Sequence, residues 1–154
     1  MPLQSLMHIY LQLKKKHLIK NKLITVLILN AIIIIAIPSG HAGGPLIMLE
    51  FFSLPLILEN GIKIKSEHPF ESYILLIILI SLIGKIIVIF NLFSKEIIKS
   101  KKYIYFGLSV MLIAFTCILI SILKYAPIIP LITLGSGIPF LIYCYKSVRL
   151  INKK

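Results

Sequence analysis

The chain has 154 residues, of which 58% are hydrophobic and only 14% charged. That charged share is too small to coat an ordinary water-soluble globule, so a single domain of membrane type is expected. A net charge of +12 would ordinarily raise nucleic acid as a partner, but here the lysines stand at the ends of apolar blocks, where they act as topology signals for a bilayer, and nucleic acid is set aside.

In residues 1–17, Leu3, Leu6, Met7, Tyr10 and Leu13 fall at helical spacing, with Gln4, His8 and Gln12 off the stripe. This predicts a short amphipathic helix on the cytoplasmic membrane surface. Lys14, Lys15, Lys16, Lys20 and Lys22 follow. Residues 18–37 read as a first span. The apolar core begins at Leu23 and is short of the ~20 residues a helix needs. Leu18 and Ile19 restore the length if Lys20 and Lys22 reach back to the headgroups. A rival reading takes the basic start, the apolar run and the small residues after Pro38 as a cleavable signal peptide. The basic region is long for that, and an uncleaved span is preferred.

Residues 38–72 hold four of the five acidic residues, Glu50, Glu59, Glu67 and Glu71. Residues 38–45 are a turn-rich breaker. Residues 45–58 are apolar but too short to cross, and they contain Glu50 and Pro55, which predicts an interfacial or re-entrant segment. Asn60-Gly61 signals a hairpin, because both central turn residues must tolerate positive φ. Ile62, Lys63, Ile64 and Lys65 alternate as a half-buried strand should. A β-hairpin over residues 56–66 is therefore expected to complete a small cap.

Residues 73–93 form a second span containing Lys85, followed by a basic loop over 94–102. Residues 103–123 form a third span and 127–145 a fourth, with Pro127 and Pro130 near its start, before a tail over 146–154. Lysine and arginine number five, four and four at three edges, against Lys63, Lys65 and Lys124 on the opposite face. The positive-inside rule then puts both termini in the cytoplasm and residues 38–72 outside, in the inner membrane if the cell is bacterial. The expected fold is an all-α integral membrane protein, a four-transmembrane-helix bundle with an extracytoplasmic cap of interfacial segment plus β-hairpin.

Small residues let membrane helices approach closely. Ser81, Gly84, Val88 and Asn91 make such a face on the second span; Gly107, Val110, Ala114, Cys117 and Ser121 make one on the third. A short connection makes these spans antiparallel neighbours, so the two faces are paired. Gly135, Gly137 and Pro139 predict a kink in the fourth span, read first as packing and otherwise as a hinge or pocket. Cys117 and Cys144 lie about 21 Å and about 3 Å from the inner edge at helical rise, too far apart to form a disulfide within the chain.

Lys85 is the one ionisable residue deep in a span and is the intramembrane functional candidate, with snorkelling to the inner edge the preferred alternative. If the 45–58 segment dips into the membrane, Glu50 needs a partner. If the segment lies flat, which is preferred, Glu50 faces headgroups. Glu50, Phe51 and Phe52 are the candidate partner-binding residues. His41, Glu50, Glu67, His68 and Glu71 are a weak zinc set, better read as solvated loop residues, and no metal or cofactor is expected. No phosphate loop, nucleophile elbow or CxxC occurs. Lys85, Tyr143 and Cys144 make no nucleophile–base set, so no enzyme is expected. The spans lack Asp and Glu, which disfavours a proton-coupled transporter. The expected function is a non-enzymatic binding, accessory or immunity-type protein in the lipid bilayer, engaging another membrane protein, an incoming polypeptide or itself as a homo-oligomer. The alternative is a protomer of a small transporter or channel using Lys85 and the 135–139 kink.

Overall fold

A computed structural model describes residues 3–36, 43–61, 69–94, 101–124 and 128–152. Helix α1 spans Leu3–Ala31. No glycine or proline interrupts this stretch, so the predicted amphipathic segment and the start of the predicted first span form one continuous helix. Ile19, Leu23, Val26 and Asn30 are its buried stripe, spaced to share one helix face.

The expected helical span over 18–37 is corrected beyond Ala31. There the backbone extends, and β1 (Ile34–Ile35) pairs antiparallel with β2 (Gly44–Pro45), Ile34 opposite Pro45 and Ile35 opposite Gly44. A run of four isoleucines favours extended backbone because β-branched side chains are crowded in a helix. Ile33 and Ile35 are buried while Ile32 and Ile34 are exposed, the two-residue alternation of a strand.

Helix α2 spans Leu46–Asn60. It is tied to the strand region by the Leu46 N–H, which donates to the Ile33 carbonyl at 2.8 Å. The predicted hairpin arm over 56–60 is also corrected, because these residues are the last turn of α2. Gly61, at φ 67°, closes the helix by donating its N–H to the Ile57 carbonyl. The positive φ that the Asn-Gly pair foretold is thus used for a helix C-cap instead of a hairpin turn. Ile62, Lys63, Ile64 and Lys65 lie outside the described residues.

Helices α3 (Pro69–Phe93), α4 (Lys101–Leu123) and α5 (Pro130–Asn152) follow. Three segments among the described residues, Tyr73–Phe93, Lys101–Leu123 and Pro130–Asn152, are long and apolar enough to cross a membrane. The chain is thus a predominantly helical integral membrane protein, with five helices among the described residues. Helix α5 runs past the expected end at residue 145, through the basic Arg149.

The closest pairings are α3 with α4 and α1 with α5, while α4 packs on α5 and α2 on α3. Gly84 faces Gly107, and each α-carbon lies where a side chain would collide with the opposite helix. Ser81, Val88 and Ala114 are buried; Val110, Cys117, Ser121 and Asn91 are half-buried. Phe115 and Phe140 meet edge to face at 5.9 Å, and Gly137 faces the Phe115 ring. Gly135 faces open space and Pro139 is exposed, within a helix that continues through both. Cys117 and Cys144 are free thiols.

Candidate functional site

Helix α2 has the polarity of a lipid-solvated element. Its buried stripe contains Leu46, Glu50 and Ser53. Its opposite side exposes Met48, Phe51, Phe52 and Leu58. In water such a helix would be inside out, with a carboxylate buried and aromatic rings exposed. In hydrocarbon the arrangement is the favourable one, since polar side chains must face the bundle.

Glu50 meets Lys85. The ammonium donates to both carboxylate oxygens, at 2.7 and 2.8 Å, with side-chain exposures of only 3% for Glu50 and 7% for Lys85. Both distances are those of strong charge-assisted bonds. Along α3, Lys85 stands about 12 Å from Phe93 and about 18 Å from Tyr73 at helical rise. A lysine stem of about 6 Å reaches neither end. The structure therefore departs from the preferred expectations for both residues: Lys85 does not snorkel, and Glu50 does not face headgroups. Each neutralises the other, which permits two charges to be buried where one alone would be prohibitive.

Uncharged polar groups extend this pair. The Ser81 hydroxyl, one helical turn from Lys85, lies beside the Glu50 carboxylate and donates over a long 3.5 Å to the Asn30 side-chain oxygen. Among the described residues, the Asn30 Nδ2 is buried without a hydrogen-bond partner, as is Thr133 Oγ1 on α5. Ser53 donates back to the Leu49 carbonyl within α2. Ser136 on α5 accepts from the Ile34 N–H at 3.0 Å and donates to the Thr133 carbonyl at 3.0 Å. Its side chain thus completes the backbone bonding of β1, which a strand this short cannot do alone.

Glu50 and Lys85, singled out separately by sequence, are brought together. Phe51 and Phe52, 74% and 63% exposed, stack edge to face at 5.9 Å on the outward side of α2, away from that pair. Sequence reasoning missed Asn30 and Ser53. The available signal was a polar residue in register with an apolar stripe, Asn30 after Ile19, Leu23 and Val26, and Ser53 after Leu46. His41, Glu67 and His68 lie outside the described residues, and Glu71 falls in the first turn of α3, where its side chain is not described. No group of three potential metal ligands converges among the described residues. No protein-family model, curated protein or solved structure matches the chain.

Proposed function

We propose that this is a small polytopic membrane protein that binds another membrane protein without catalysing a reaction, and that α2 is its contact element. In this reading α2 is a re-entrant helix within the bilayer, the chain enters through α1 and the extended residues after it, and both termini are cytoplasmic. The observation that carries the proposal is the inside-out α2. Its Glu50 is neutralised internally by Lys85 of α3, while Phe51 and Phe52 point outward. A helix anchored by an ion pair loses little freedom when its other face is covered, and that preorganisation favours recognition. Aromatic side chains offer a large contact area at low conformational cost.

The test is purification of C-terminally tagged protein from native membranes in mild detergent. A stoichiometric foreign membrane protein is expected with the parent sequence. Phe51→Ala combined with Phe52→Ala is expected to leave membrane insertion unchanged and reduce capture by at least tenfold, as for loss of a hot-spot pair. Capture that survives the double substitution removes α2 as the contact element.

A second reading, a transporter or channel protomer, is favoured by the incompletely bonded Asn30 beside Ser81 and the ion pair. Buried polar groups lacking partners occur where water or a solute can enter. In that case the tagged protein would purify alone as a defined homo-oligomer, and Lys85→Met would change its flux. Unaltered flux in a folded Lys85→Met variant would count against a path through this pair.

A further inference from the structure

Far from the Glu50–Lys85 pair, two other lysines converge. Lys22 on α1 places its Nζ 5.3 Å from the centre of the Tyr143 ring, and Lys146 on α5 places its Nζ 5.2 Å from the same centre. Both distances lie within cation–π range. The ring attracts each ammonium, but it carries no net charge and cannot neutralise two. Neither Lys22 nor Lys146 is paired with a carboxylate among the described residues, so the cluster retains its positive charge.

Its position selects the anion. Tyr143 lies about 20 Å along α5 from Pro130. The exposed Ile138 and Ile142 stand eight and four residues before Lys146 on α5, so the three share one helix face. An apolar stripe on α5 therefore leads up to Lys146 beside the Tyr143 ring, and α1, which carries Lys22, packs against α5. A tyrosine between apolar and charged residues is the side chain expected at headgroup level.

We propose that Lys22, Tyr143 and Lys146 form a binding site for an anionic phospholipid, with the phosphodiester between the two ammonium groups and an acyl chain along Ile138 and Ile142 of α5. Basic pockets between membrane helices bind anionic headgroups through this chemistry, each lysine adding to the attraction. The site rests on the membrane placement given above but is independent of any protein partner.

The full chain, purified alone in detergent, is tested by native mass spectrometry with phosphatidylglycerol and with phosphatidylcholine of the same acyl chains. The parent protein is expected to retain phosphatidylglycerol preferentially. Lys22→Gln and Lys146→Gln are each expected to reduce that preference about fivefold, and the double substitution is expected to abolish it. Lys22→Arg with Lys146→Arg retains it, which separates loss of charge from loss of fold. Equal retention of the two lipids by the parent, or undiminished preference in the Gln pair, overturns the proposal. Displacement of the bound lipid by millimolar inorganic phosphate also overturns it, because the site would then be one for free phosphate. Since no partner is present, these outcomes are independent of the capture experiment.

Discussion

Lys85→Met alone is expected to destabilise the folded protein by about 3–5 kcal/mol, because it leaves the Glu50 carboxylate buried without its counter-charge. Glu50→Gln should be comparably damaging, since it strands the ammonium in the same place. The ammonium now bonds both carboxylate oxygens, with almost no exposure on either residue, so neither charge can turn to solvent without moving α2. The double change Glu50→Gln with Lys85→Met removes both charges together and is expected to recover most of the loss, because a buried pair contributes little net stability over an uncharged substitute. Thermal unfolding in nanodiscs, followed by circular dichroism, gives the four corners of the cycle. Additive losses at the two positions would mean that the pair is not coupled and does not anchor α2.

Gly84→Leu is expected to force α3 and α4 apart, with a loss above the 1–3 kcal/mol typical of overpacking a well-filled interior. A Cβ built on Gly84 would stand 2.8 Å from Met111 Cγ and 3.0 Å from the Gly107 carbonyl oxygen. On Gly107 it would stand 2.7 Å from Val88 Cγ2 and 3.0 Å from the Gly84 carbonyl oxygen. The methionine and valine can adjust, but the backbone oxygens cannot move without separating the helices. Gly107→Leu should therefore behave alike, and combining the two should cost less than the sum, because both disrupt one contact. Gly135→Ala is the control, since a Cβ there meets nothing within 4 Å, and the unfolding midpoint should be unchanged or slightly raised. If Gly84→Leu unfolds at the parent temperature, the close approach of α3 and α4 does not hold the bundle together.

The long apolar blocks were legible because their physics is local. About twenty apolar residues suffice to make a crossing helix whatever lies beside it, and α3, α4 and α5 follow from that alone. The fine structure of residues 31–61 was not legible in the same way. Ile32–Ile35 has one hydrophobicity whether helical or extended, and its strand exists because Gly44–Pro45 returns beside it and Ser136 bonds Ile34. Asn60-Gly61 correctly announced a positive φ, but a hairpin turn and a helix C-cap demand the same glycine. Only the residues around it in space decide between them.

The sequence by itself determined that this chain belongs in a membrane, where α3, α4 and α5 run, and that Lys85 is a charge deep within an apolar block. Local composition and spacing carry that information. The tertiary structure alone decided that Glu50 and Lys85 meet, that Gly84 opposes Gly107, and that Lys22 and Lys146 share the Tyr143 ring. Each of these contacts joins different helices, and its energy depends on a distance in space that no single stretch of sequence encodes.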